Sequence, residues 1–231
     1  MLDALRQAVF EANVELVRRG LVFASFGNAS GLAREQGLVV IKPSGVLSAD
    51  LRPDNLVVTD LDGRSVEGEC RPSSDLPTHL ALYRAFPSIG GVAHTHSTFA
   101  TSWAQASRAI PCLGTTHADY FRGAVPLTDA MTPDEIWSDY ERNTGEAIVR
   151  RFADLDPDAI PAVLVAGHGP FCWGASVCEA VHVAEVLEEI ARIAYQALML
   201  NPQAAPLASD LHEKHFRRKH GPDAYYGQNK R

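Results

Sequence analysis

Gly90-Gly91-Val92-Ala93-His94-Thr95-His96-Ser97 is the stretch on which the fold and the site of this chain depend. A short apolar run leads into it, and side chains on a strand alternate between two faces. His94 and His96, two positions apart, therefore project to one side, about 7 Å apart along the strand. Two imidazoles so placed suit a single metal ion. A hydrogen-bonded core histidine beside a solvated one has the same signature, so the pair needs company to mean more. A mononuclear catalytic zinc takes three or four protein ligands and keeps an open position. Two further candidates stand in suitable settings: Asp75 within Arg71-Pro72-Ser73-Ser74-Asp75, and His168 within Val163-Leu164-Val165-Ala166-Gly167-His168-Gly169-Pro170.

The 231 residues are 46% hydrophobic and 21% charged, enough for one sizeable core, and no linker-like stretch divides them; a single domain over residues 1–231 is expected. Cys70, Cys112, Cys172 and Cys178 form no C-x-x-C pair, and the N-terminus lacks the apolar core of a signal peptide, so a reducing cytoplasm is expected. No apolar run approaches the roughly 20 residues of a membrane span. The net charge of −7 argues against nucleic acid or an acidic membrane as main partner, so any phosphate site must be a local pocket.

Leu2, Leu5, Val9, Ala12 and Leu16 recur at helical steps up to Arg19-Gly20, an opening amphipathic helix with a glycine stop. Leu21–Ser25 and Leu38–Ile41 look like short strands joined through Gly27-Asn28-Ala29-Ser30-Gly31. The second runs into Lys42-Pro43-Ser44-Gly45, which is either plain turn chemistry or a set of phosphate donors: an ammonium, a hydroxyl and glycine-freed amides. Residues 56–59 and 65–66 flank Asp62-Gly63 as a further hairpin. Ser73-Ser74-Asp75 precedes a helix over residues 78–86. Capping accounts for one of the three residues; a helix N-terminus also attracts anions, leaving Asp75 to turn toward a metal.

Further on, residues 99–106 read as helix and 110–113 as a short strand, followed by a donor-rich loop, Thr115-Thr116-His117-Ala118-Asp119-Tyr120. Thr132-Pro133-Asp134-Glu135 opens a helix predicted to run to about Phe152. Residues 162–166 form a buried strand that ends at His168. Gly167-His168-Gly169-Pro170-Phe171-Cys172-Trp173-Gly174 lacks the third glycine of a dinucleotide fingerprint, and Pro170 removes an amide, so no nicotinamide site is expected. Residues 177–199 are a long helix. The tail, about residues 208–231, is basic in an acidic protein and carries either a helix end or site residues.

An ordered set of short motifs spans nearly the whole chain: Gly27-Asn28, Ile41-Lys42-Pro43-Ser44-Gly45, Pro72-Ser73-Ser74-Asp75 with Pro77-Thr78-His79, Phe86-Pro87-Ser88-Ile89-Gly90-Gly91, His94-Thr95-His96-Ser97, Gly114-Thr115-Thr116-His117-Ala118-Asp119-Tyr120, His168-Gly169-Pro170-Phe171, Lys219-His220-Gly221, and Ala224-Tyr225-Tyr226-Gly227-Gln228. In these the chain resembles the class II aldolase/adducin family, and within it the L-ribulose-5-phosphate 4-epimerases. The resemblance implies an α/β fold, a three-layer α/β/α sandwich with a largely antiparallel central sheet, in a homotetramer with active sites between subunits. It implies zinc, or another divalent cation such as manganese or cobalt, on His94, His96 and His168, with Asp75 as fourth ligand or close neighbour. Asp119 and Tyr226 are the implied acid/base groups, with Tyr226 expected from a neighbouring subunit. Asn28, Lys42, Ser44, Gly45, Ser73 and Ser74 match phosphate-binding positions, Thr115 a substrate-binding one, and His215 and Arg218 tail residues near the site. The implied reaction interconverts L-ribulose 5-phosphate and D-xylulose 5-phosphate. A class II sugar-phosphate aldolase, an epimerase of a related pentulose phosphate, and a non-enzymatic adducin-like module are the rival readings.

Overall fold

The computed structural model describes residues 2–222 and 224–227. In chain order these form α1 (Leu2–Arg18), β1 (Asn28–Ala33), β2 (Leu38–Ile41), β3 (Val57–Asp60), β4 (Ser65–Glu67), α2 (Leu76–Ala85), β5 (Gly91–His94), α3 (Thr98–Gln105), α4 (Thr115–Ala118), α5 (Pro133–Trp137), α6 (Tyr140–Arg151), β6 (Ala162–Leu164), β7 (Pro170–Gly174), α7 (Val177–Leu200) and α8 (Ser209–Lys219). Among the described residues the seven strands make one sheet in the order β4-β3-β2-β1-β5-β7-β6, every neighbouring pair antiparallel. The sandwich with a largely antiparallel centre expected from the sequence is the one observed.

Alternation along β1 sorts the layers. Ser30 faces α2, where its hydroxyl meets His79 Nδ1 at 2.7 Å and the Tyr83 hydroxyl at 2.8 Å. Gly31 faces the opposite way: a Cβ there would stand 2.7 Å from Leu5 and 3.0 Å from Val9 of α1. Val92 and Trp173, in register with Ser30, lie on the α2 side, where Trp173 packs on Phe86 and Phe152. Gly91 and Gly174 face α7, and a Cβ on Gly91 would stand 2.3 Å from the Val177 amide. The helix seats on the sheet only because that position has no side chain. Helices α2 and α6 share the first face and α1 and α7 the second, with α3 packed on α7.

Several local expectations change. Residues 21–25 form no strand; the chain turns there, with Ala24 and Gly27 both at positive φ, and the strand begins at Asn28. The polar Gly27–Gly31 stretch is therefore the start of a central strand. Its polar groups turn to the flanking helices: Asn13 of α1 accepts from the Ala29 amide, the Asn28 side-chain amide donates to Asp75, and the Ser30 hydroxyl meets His79 and Tyr83 of α2. Residues 110–113 contribute one isolated bridge, Ile110 to Val125. The helix expected over 133–152 is two: Thr132 caps α5 through the Glu135 amide, Ser138 ends it, and the Asn143 amide bridges the corner to the Glu135 carbonyl at 2.8 Å. Pro170 opens a strand, the one place in a sheet interior where a missing amide is tolerated. No helix among the described residues is long and apolar enough to cross a membrane.

Candidate active site

The ends of β1 and β5 and the first turns of α2 and α6 meet at one end of the sheet around a cleft of about 420 Å³. Asn28 pairs with His94 across β1 and β5, and His94 with Phe171 across β5 and β7, so the three project to one face. His94 and His96 lie with their Nε2 atoms 3.1 Å apart. His168, on the loop before β7, completes a triangle whose ligand atoms all fall within 4.8 Å of one another.

Neighbours fix the donor chemistry of this triangle. His94 donates from Nδ1 to the Pro170 carbonyl at 2.9 Å and stacks on Phe171 with centroids 4.1 Å apart, which leaves its Nε2 lone pair facing the other two rings. Burial pushes all three imidazoles below the ordinary histidine value, and their mutual proximity adds to this for His96 and His168; His168 falls to about 4. Neutral imidazoles converging on one point are the form in which histidine binds a divalent cation, so the residues present fit such an ion.

Asp75 sits at the N-terminus of α2 yet makes no capping bond. Its carboxylate instead accepts from the Asn28 amide at 2.6 Å. Burial alone would raise this carboxyl, but His94, His79 and Asn28 outweigh it and hold the group ionised below its ordinary range. Among the described residues Asp75 is outside the tight triangle of ligand atoms, although it lines the same cleft.

Lys42, Ser44, Gly45, Ser73 and Ser74 line the rim of that cleft together. Two backbone bonds knit the segments carrying them, Ser73 N to Lys42 O and Ser44 N to Arg71 O, both 2.9 Å. Gly45 adopts φ +69, the left-handed turn that only glycine enters without strain. Lys42 is buried with its ammonium pushed down by desolvation and partly restored by Asp75. An ammonium, three hydroxyls and a turn amide thus line the same cleft as the histidine triangle.

Thr115, Asp119, His215, Arg218 and Tyr226 do not line this cleft; they assemble elsewhere on the same chain. Arg218 grips the Asp119 carboxylate with two guanidinium nitrogens, one at 2.7 Å, and His215 Nδ1 lies 3.0 Å from it. The Thr115 carbonyl accepts from the Asp119 amide. Although burial opposes ionisation, Arg218 and His215 hold the Asp119 carboxyl below its usual range. Tyr226 lies against the same cations, with Arg218 4.8 Å and Lys219 4.7 Å from its ring centroid. Asp119 and Tyr226, the implied acid/base pair, thus lie in one cluster within the chain. Docking of α8 onto α4 brings them together. Gln228, at the end of the tail motif, lies outside the described residues.

Four further cleft residues escape a reading of the sequence: Ser25, Phe26, whose ring is 5.6 Å from that of His96, and Tyr140 and Glu141. The latter pair sits in what reads as the middle of a helix, and only the unforeseen break at Ser138 turns it into a helix start.

A family model, the class II aldolase and adducin N-terminal domain, matches residues 7–195. L-ribulose-5-phosphate 4-epimerase UlaF of Salmonella paratyphi B is 54% identical over 227 residues, covering 98% of this chain and 100% of that protein. Among solved structures, an L-fuculose 1-phosphate aldolase superposes with TM-score 0.78 at 26% identity over 92% of this chain and 94% of its own. The L-fuculose-1-phosphate aldolase of Thermus thermophilus shares the fold with TM-score 0.67 at 24% identity, over 88% of this chain and 98% of its own. With the family model matching residues 7–195 and 54% identity to a relative across 98% of its length, the chain belongs to the class II aldolase and adducin family.

Proposed function

We propose that this protein is a divalent-metal-dependent L-ribulose-5-phosphate 4-epimerase. The observation that carries the assignment is the 54% identity to enzymes of that name across 98% of the chain. It extends past the family domain, which ends at residue 195, into the tail that grips Asp119.

The chemistry of the substrate explains why such a cleft is needed. In L-ribulose 5-phosphate the ketone is C2 and the inverted centre is C4, so the C4 hydrogen is β to the carbonyl and not acidic. Cleaving C3–C4 is the accessible route. One group takes the proton of the C4 hydroxyl as the bond breaks, giving glycolaldehyde phosphate and the enediolate of dihydroxyacetone. The aldehyde rotates, C3 re-attacks its other face, and a second group returns a proton to the new C4 oxygen. No redox step occurs, so no nicotinamide is required. A divalent cation on His94, His96 and His168, with Asp75 beside it, supplies Lewis-acid stabilisation of the developing negative charge. Zinc fits the donor set, and manganese and cobalt are alternatives.

Asn28, Lys42, Ser44, Ser73, Ser74 and the Gly45 amide hold the phosphate, with the Asn28 side chain also keeping Asp75 in place. Asp119 and Tyr226 carry the two proton transfers, with Thr115, His215 and Arg218 beside them. Because that cluster lies apart from the cleft, a neighbouring subunit supplies it, which accords with a homotetramer of single-domain chains whose tails complete each other's sites. All four cysteines are free, compatible with a reducing cytoplasm.

Incubation with L-ribulose 5-phosphate, with D-xylulose 5-phosphate and free aldehyde measured separately, tests the assignment. Epimerisation without net aldehyde release supports it. Accumulation of dihydroxyacetone and glycolaldehyde phosphate would instead make the protein an aldolase, as the resemblance to the fuculose-phosphate enzymes allows.

A further inference from the structure

The geometry points to Tyr140 as a positioning residue for the metal centre: its hydroxyl accepts the Nδ1–H of His168 and so directs Nε2 of that ring at the cation. This inference rests on the reading of His94, His96 and His168 as a metal site.

The three histidines are held very differently. His94 is fully buried, stacked on Phe171 and tied through Nδ1 to the Pro170 carbonyl. His96 has the rings of His94 and Phe26 beside it, with centroids 4.9 and 5.6 Å away. His168 stands between Gly167 and Gly169, neither of which offers a side chain to restrict its ring, and its two nearest rings, His94 and His96, meet it edge-on. Among the described residues the one hydrogen bond of its ring is with the Tyr140 hydroxyl, 3.3 Å from Nδ1. A neutral imidazole carries one proton, and which nitrogen bears it is set by the partner of the other. With Tyr140 accepting from Nδ1, Nε2 is left as the ligand; without it, rotation about the glycine-flanked Cβ–Cγ bond and tautomer exchange are both free.

Tyr140 is itself well anchored, as a positioning group must be. It is the first residue of α6, and its carbonyl accepts from the Thr144 hydroxyl at 2.8 Å. The next carbonyl, Glu141, accepts from the Thr78 hydroxyl of α2 at 2.5 Å. At Gly145 the two helices approach so closely that a Cβ would stand 2.6 Å from that of Ala81. The turn bearing Tyr140 is thereby locked to the helix that follows Asp75.

Tyr140→Phe removes one oxygen and keeps the ring. Zinc affinity, measured by competition with a chromophoric chelator, should weaken about 10- to 100-fold, the usual effect of deleting a partner of a metal-bound histidine. The visible absorption of the cobalt-substituted protein should change in intensity or position, and the melting temperature of the metal-free chain should not move. Unchanged zinc affinity and an unchanged cobalt spectrum would overturn the inference, as would a raised KM alone, which would make Tyr140 a substrate contact. Wild-type protein that bound neither ion would overturn the metal-site reading and this inference with it. Wild type that bound both while Tyr140→Phe bound them equally well would overturn the inference alone.

Discussion

Replacing Lys42 with methionine probes the proposed phosphate cradle with little disturbance to the fold. The side chain is only 5% exposed and lies beside Asp75, with burial working against its charge. The ammonium is therefore desolvated before any substrate arrives, and a phosphate meets it without stripping much further water. A charge-assisted hydrogen bond of this kind contributes about 1.5–3 kcal/mol. At about 1.4 kcal/mol per decade, its loss raises KM by roughly 10- to 150-fold. Methionine keeps the buried stem and removes a buried charge, so the melting temperature should hold or rise. Because Lys42 has no part in proton transfer, kcat should change by less than about threefold. Initial rates across a range of L-ribulose 5-phosphate concentrations, with zinc content measured in the same preparations, separate these effects. An unchanged KM would remove Lys42 from the phosphate site. A large fall in kcat at constant KM and constant metal content would place it in the chemistry.

His96→Asn should retain under about one-tenth of the wild-type zinc at stoichiometric loading, measured by elemental analysis. Activity lost on chelation of the wild type should return on adding back zinc, manganese or cobalt. Asp119→Asn should keep its metal and lose epimerase activity by about 10²-fold or more. If sites form between subunits, inactive His96→Asn and Asp119→Asn chains reassembled at equal ratio should regain about a quarter of the wild-type activity, the random frequency of an intact cleft facing an intact cluster. Verified mixed oligomers without activity would refute the shared site. His117 is buried, its Nε2 donates to the Gly123 carbonyl, and burial holds it at about 4 against an ordinary 6.5. Its contribution is complete above pH 6.5 and declines as pH falls toward 4, because only the unfolded chain takes up the proton. Between about pH 7 and 5 this costs about 2 kcal/mol, so urea unfolding of His117→Asn should show a pH dependence shallower by that amount.

How far residues alone lead here depends on whether their signal is local. The His94–His96 pair and the glycine-flanked His168 were legible because close spacing and flanking composition are properties of a few adjacent residues, although β5 ends at His94 and His96 reaches the same side from just beyond the strand. The hairpin of β3 and β4 and the long helix α7 were legible for the same reason. β1 was not, because Asn28 and Ser30 spend their polarity on Asp75, His79 and Tyr83, partners some 50 residues away. Tyr140 was hidden by the helix break at Ser138, where a side-chain bond from Asn143 runs back across the corner. The pairing of Asp119 with Arg218 closes a separation of 99 residues, and nothing in either neighbourhood announces it.

The central claim is inversion at C4 by breaking C3–C4 while the C4–H bond stays intact, and isotopic substitution tests it most directly. L-ribulose 5-phosphate bearing deuterium at C4, incubated with the metal-loaded enzyme in ordinary water, should yield D-xylulose 5-phosphate with the deuterium fully retained, as read by mass spectrometry and NMR. Product that had exchanged its C4 deuterium for solvent hydrogen, or no xylulose product at all from enzyme shown to hold zinc, would contradict the account.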